Sequence, residues 1–240
     1  MELDHQSSTH ADQWADIYDE VHLELSDPAH VDPVVDVLVE LAGAGPALEL
    51  GIGTGRIALP LASRGIEVHG IDFSEAMIDK LRLKPGGEGI PVTLSDFSDL
   101  EVEGRYSLIF AVFNTFFVLL TEESQARCFR NVARHLARGG VFLIEAFVPH
   151  PTRFTREENV SAMSVETDRY LLSTECHDPK RQVIDSRIFI PGEDKTRSMP
   201  IRIRYAWPAD MQLRHRWSNW AGSPFTASSA YHISSYELHD

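Results

Sequence analysis

The stretch "ALELGIGTGRIALPLA", residues 47–62, decides the fold. Four apolar-patterned residues lead into three alternating glycines, Gly51, Gly53 and Gly55, and an amphipathic run follows. A strand, a glycine turn and a helix make one β-α unit. Glycine at this density lets a large ligand lie against the backbone. A triphosphate-binding loop would read G-x-x-x-x-G-K-[ST], but Arg56 and Ile57 follow Gly55, so that reading fails. A dinucleotide fingerprint would read G-x-G-x-x-G, whereas the spacing here is G-x-G-x-G.

The acids around the loop narrow the ligand. Glu49 lies inside the strand, two residues before Gly51, where it repels a pyrophosphate and favours positive charge. Asp72 ends the second apolar run, "EVHGID", and can accept both hydroxyl protons of a ribose. Asp96, in "TLSDFSDL", follows the third run and suits an exocyclic amine such as adenine N6. Taken singly, each acid also reads as a helix cap or a solvated loop residue. Together, without a compensating lysine, they fit a cationic nucleoside: S-adenosylmethionine carries a sulfonium, an ammonium, a ribose and an adenine, and no phosphate.

Working outward, residues 12–25 place Trp14, Ile17, Tyr18, Val21 and Leu25 at helical spacing. A second helix is predicted over 32–41 with Pro33 in its first turn, a third over 56–64, and a fourth over 74–83 capped by Ser74. Strands are predicted at 47–50, 67–71, 90–94, 106–112 and 141–147, with a long helix over 122–137 ended by the glycines of "RGG". Five such units predict a parallel sheet covered on both faces, with ligands beyond the C-terminal strand ends. After residue 148 the pattern changes to antiparallel strands in "RYLLSTECHD", "RQVIDSRIFIPG" and "RSMPIRIRYAW", then a pair at 211–220 and 230–239. The chain thus divides into 1–147, an α/β core; 148–207, a β insertion; and 208–240, a strand pair completing the core sheet.

The 240 residues carry a net charge of −14, which argues against nucleic acid or an anionic membrane as partner. Cys128 and Cys176 lack metal-type spacing and read as reduced thiols, and no histidine pattern suggests a metal. "MELDHQSSTHADQW" has no signal-peptide pattern, and no apolar run nears the ~20 residues of a membrane span, so a cytoplasmic protein is expected.

Through "LELGIGTGR", "HGIDFSEAMI", "SDF" and "YSLIFAVFNTFF", residues 12–147 resemble the class I S-adenosylmethionine-dependent methyltransferases. Through "EAFVPHPTRF", "RIRYAWPAD" and "RHRWSNWAGSPFTASSAYHISSYEL", the C-terminal half resembles a bacterial subgroup acting on small molecules. The resemblance implies a Rossmann-like fold: a mostly parallel seven-stranded sheet, an antiparallel C-terminal hairpin and a small antiparallel β insertion serving as substrate lid or oligomer surface. It implies that Gly51, Gly53 and Gly55 lie against the methionyl part, with Glu49 beneath them. Asp72 would bind the ribose, Phe73 and Met77 would contact the adenosine, and Asp96 with the Phe97 amide would read the adenine edge. The Ala111 carbonyl would face the ammonium, Phe113 and Asn114 would stand near the methyl, and Tyr18 would close over the cofactor.

The family pattern would also place a helix between "YAWPAD" and "MQLRHRW", yet Asp210 runs into Met211. The apolar face it would cover is then covered by the lid strands or by a second subunit, as in a homodimer. His22, His150 and His177 are candidate bases for a hydroxyl acceptor. The acceptor is expected to be a small molecule methylated on oxygen or nitrogen, since "FNTFF" stands where a nucleic-acid methyltransferase has [DNS]-P-P-[YFW]. Two other readings stay open: a protein keeping this fold without transferring methyl, such as a cyclase or scaffold, and an NAD-binding oxidoreductase.

Overall fold

A computed structural model describes residues 11–12, 14–148, 158–165, 170–192, 196–205 and 212–237. Two sheets are formed. The larger has seven strands: β1 (Ala47–Leu50), β2 (Val68–Asp72), β3 (Val92–Leu94), β4 (Tyr106–Ala111), β5 (Leu136–Phe147), β10 (Gln212–Trp217) and β11 (Tyr231–Glu237). Their spatial order is β10-β11-β5-β4-β1-β2-β3. Strands β1 to β5 are mutually parallel, β11 runs antiparallel to β5, and β10 pairs antiparallel with β11. The order reverses at β1/β4, and at such a switch point the loops diverge and leave a crevice. The smaller sheet is the antiparallel series β6 (Glu158–Val165), β7 (Tyr170–Asp178), β8 (Val183–Ile190) and β9 (Arg197–Arg204). It has one strand more than the three read from the sequence.

Both faces of the large sheet are covered. On one, α5 (Glu122–His135) packs Cys128, Phe129 and Val132 against Phe142, Ile144 and Tyr236. On the other, α2 (Pro28–Ala42) and α3 (Ala58–Ser63) bury Val31, Val35, Leu38 and Leu61 against Ala47, Leu108, Phe110 and Leu143. The expectation that a helix is missing at 210–211 falls on residues 206–211, outside the described residues. Beside α5, Ile203 and Tyr205 at the end of β9 pack against the first cluster, so the small sheet supplies part of its cover. Among the described residues no helix is long and apolar enough to cross a membrane.

Four local expectations are corrected. The helix over 12–25 is broken into α1 (Tyr18–Val21), a 3-10 turn (Glu24–Ser26) and a short helical turn before them. Asp12, Asp16 and Asp19 are held by partners on the core, so tertiary contact sets the path of this segment. Helix α2 begins four residues early because the Asp27 carboxylate accepts from Ala29 N–H at 2.8 Å and Pro28 fills the first position. Pro33 therefore lies inside the helix. Finally, α5 ends at His135 without a glycine cap: Leu136 is already extended and pairs with Tyr106. The "RGG" glycines sit inside β5, where Gly139 has φ +75° and the register against β4 shifts. Helix α4 (Glu75–Arg82) matches its expectation, Ser74 Oγ accepting from Met77 N–H.

Candidate active site

A cavity of about 800 Å³ opens at the C-terminal ends of β1, β2 and β4, between the large sheet and the small one. Its floor includes Gly51, Gly53, Asp72, Phe73, Met77 and Phe97, and Tyr18 and Trp14 close one side. These bring together seven of the residues singled out from the sequence.

The glycine loop is tight. Gly51, Gly53 and Gly55 all have positive φ, at +71°, +54° and +82°. A side chain at Gly53 would meet no protein atom within 4 Å, so this backbone borders open space where a ligand can approach. Asp72 braces the loop from β2: one carboxylate oxygen accepts from Gly53 N–H at 2.7 Å, the other from Ser74 N–H at 2.9 Å. Burial outweighs these bonds and pushes the Asp72 carboxyl up to about 6.

Glu49 lies beneath the loop, 4% exposed. Ala58 N–H donates to its carboxylate, but Oε2 is buried with no partner. Burial, opposed by Arg56 and reinforced by Asp72, pushes Glu49 up to about 8. An orphaned buried carboxyl oxygen under a glycine loop suits a cationic ligand and disfavours a phosphate. Asp96 turns one oxygen to Ser98 N–H at 2.7 Å and is not among the residues lining the cavity; its neighbour Phe97 is buried and does line it. Ala111 ends β4, fully buried.

After β4 the chain makes two consecutive left-handed residues, Phe113 (φ +56°) and Asn114 (φ +64°). This costly conformation is held from β5. Glu145 accepts from Phe113 N–H at 2.8 Å through its carboxylate and from Asn114 N–H at 3.1 Å through its carbonyl. Its other oxygen accepts from the Trp220 indole at 3.0 Å, while Asn114 Oδ1 accepts from Phe147 N–H at 2.7 Å. The Phe113 ring that results lies 5.2 Å from the Arg56 guanidinium and 5.3 Å from His22.

His22 is wedged edge-on between Tyr18, at 4.6 Å, and Phe113. Burial and the Arg56 charge push it down to about 4, so it is neutral at pH 7. Burial pushes the Tyr18 phenol up to about 12, so it too is neutral. His177 lies in β7 within 3.0 Å of the Tyr205 hydroxyl. His150 falls outside the described residues.

Sequence reasoning missed the ties that hold the N-terminal segment over the cavity. Asp19 accepts from Thr54 Oγ1 at 2.6 Å and pairs with Lys84 at 2.6 Å, and Lys84 also donates to the Thr54 carbonyl at 2.9 Å. Asp12 meets Ser74 Oγ at 2.6 Å, and Asp16 pairs with Lys80 at 2.7 Å. Acids at 12, 16 and 19 on one amphipathic run were the available signal. Glu145 was missed as well, although an acid inside the apolar run "VFLIEAF" marked it.

Comparison with known proteins agrees with this geometry. A family model described as a methyltransferase domain matches residues 47–140. The chain is 35% identical to the CcbJ methyltransferase of Streptomyces caelestis, with a TM-score of 0.90 over 97% of this chain and 99% of that one. It is 27% identical to the cypemycin N-terminal methyltransferase of a Streptomyces species over 89% of this chain and 94% of that protein. It is 30% identical to the dTDP-4-amino-2,3,4,6-tetradeoxy-D-glucose N,N-dimethyltransferase of Saccharopolyspora spinosa, over 58% of this chain and 56% of that one. With the parallel sheet, the glycine loop and the acids beneath and beside it, these likenesses show that the chain is an enzyme of the class I S-adenosylmethionine-dependent methyltransferases.

Proposed function

We propose that this methyltransferase transfers methyl to the nitrogen of a small-molecule amine. The observation that carries the reading is His22, wedged between Tyr18 and Phe113: burial pushes it down to about 4, which makes this candidate base a poor one for activating a hydroxyl at neutral pH. An amine in its neutral form needs no such base. The two curated relatives support the choice, since by name one methylates an N-terminus and the other an amino sugar.

S-adenosylmethionine, when bound, would supply a methyl already activated by its sulfonium for transfer to the amine. The chain's own task is alignment and exclusion of water. Gly51 and Gly53 would let the ligand against the backbone, Asp72 would take the ribose, and Glu49 would offset positive charge. Glu145 and Asn114 fix the turn that carries Phe113, which would stand toward the methyl. Tyr18 and the N-terminal segment close one side of the cavity, and strands β6–β9 line another, where the acceptor would enter.

Two measurements test the reading. Calorimetric titration with S-adenosylhomocysteine is expected to show binding that Asp72→Ala weakens at least tenfold. Incubation with methyl-labelled cofactor and paired amines and alcohols is expected to label amines; label on the alcohols alone would overturn it.

A further inference from the structure

The small sheet touches the rest of the molecule at two levels. Strand alternation puts Ile184, Ser186, Ile188 and Ile190 of β8 on one face, with Met199, Ile201 and Ile203 of β9 opposite them and Ser173, Glu175 and His177 of β7 on the other side. At one level Ile188, Ile190 and Met199 pack on Ile17 of the N-terminal segment. At the other, Ile203 and Tyr205 pack on the core beside α5. Between these supports lies the level Asn159–Glu175–Ser186–Ile201, and all four residues line the cavity. Ile201 leans on the Ile17 cluster, and Glu175 and the small Ser186 form part of the cavity's roof.

A carboxylate there is out of keeping with its surroundings. Its face is built mainly from Ile, Leu and Met, and Glu175 is half-buried. Among the described residues its carboxylate has no hydrogen bond and no ion pair. Burying part of a charge without a partner is unfavourable, and a ligand cation would relieve it. The glycine loop and Asp72 lie in the floor of the same cavity.

We infer that Glu175 is the residue that recognises the acceptor: its carboxylate receives the cationic nitrogen of an amine entering between lid and glycine loop. This rests on the reading of the enzyme as an amine methyltransferase. The role is recognition. The ammonium first loses its proton to water at the cavity mouth, after which the lone pair forms the N–C bond as the S–C electrons return to sulfur. Opposite charge favours the protonated amine, so the carboxylate raises the pH at which that proton leaves. Of the other titratable groups, Tyr18, Asp72 and Cys176 line the same cavity, and His177 belongs to the same sheet face. Asp185, Arg187 and Arg202 also line the cavity, from the alternate positions of β8 and β9; Asp185 and Arg202 pair with each other, and Arg187 donates to Ser198 Oγ.

The test uses the full-length enzyme, methyl-labelled cofactor and a panel of primary and secondary amines, each beside its alcohol or phenol counterpart. Wild type, Glu175→Gln and Glu175→Asp are compared on the best amine. Glu175→Gln is expected to raise KM for the amine about tenfold or more, in keeping with loss of a charge-assisted contact. It is also expected to move the rising limb of kcat to lower pH and to leave S-adenosylhomocysteine affinity unchanged. Glu175→Asp should recover part of the KM. If wild type methylates amines and Glu175→Gln keeps both its KM and its pH limb, the role of Glu175 is overturned and the amine reading stands. If wild type methylates only the alcohols or phenols, the amine reading falls and the role of Glu175 with it.

Discussion

Glu49 shows how a single buried group couples ligand, proton and stability. Its carboxyl is raised from 4.5 to about 8, so in the free protein it is protonated at pH 7. A cationic ligand binds the ionised form better, so affinity for S-adenosylmethionine is expected to rise with pH through about 8, with proton release at pH 7. Calorimetry in buffers of different ionisation enthalpy counts that proton. For the free protein the sign is opposite. The native state keeps a proton that the unfolded state loses above 4.5, so this stabilisation is present below 4.5 and lost as pH rises through about 8. Wild-type Tm should therefore fall relative to Glu49→Gln across that window, and parallel Tm curves would contradict the raised pKa. The glycines, Glu49 and Asp72 were legible in the sequence because their chemistry is local to a strand end and the turn that follows. Glu145 and Trp220 were not: they are 75 residues apart, and their bond exists only because β11 returns alongside β5.

At the scale of elements, the apolar runs placed the core strands to within a few residues, apart from residues 136–140 of β5, because buried parallel strands are largely apolar. It failed at the N-terminal segment, where the apolar positions sit at helical spacing but the acids between them are drawn to partners on the core. Those partners govern how the segment closes. Asp19 bonds both Thr54 and Lys84 beside the glycine loop, whereas the exposed Asp16 pairs with Lys80 farther out. Exposed ion pairs are worth about 0–1 kcal/mol and are screened by salt. Asp19→Asn is accordingly expected to weaken S-adenosylmethionine about threefold, since it loosens both contacts, and to reduce the salt dependence of binding. Asp16→Asn should change affinity little. Titrations at low and high salt compare the two, and equal effects would show that Asp19 has no special tie to the loop.

At the scale of the whole molecule, one pattern was legible in outline and another was not. The switch from β-α units to consecutive strands announced a second sheet after residue 148. Where that sheet would rest was hidden, because Ile17 meets Ile188 and Met199, and Ile203 meets the α5 face, across most of the chain. Such contacts follow from topology and leave no local signature.

The N-terminal segment has Tyr18 turned to the glycine loop and Ile17, its neighbour, turned to the lid. One piece of chain therefore forms part of both walls, and movement of one is expected to carry the other. This imposes a sequence in time. The methyl donor is expected to be seated before the segment settles against the small sheet, and the spent donor to leave last. Steady-state kinetics should show ordered addition: S-adenosylhomocysteine competitive against S-adenosylmethionine and noncompetitive against the acceptor. Turnover would then be paced by reopening of the segment after transfer. Ile17→Ala, which loosens the shared support, is expected to raise KM for both substrates and to blur the order toward random addition.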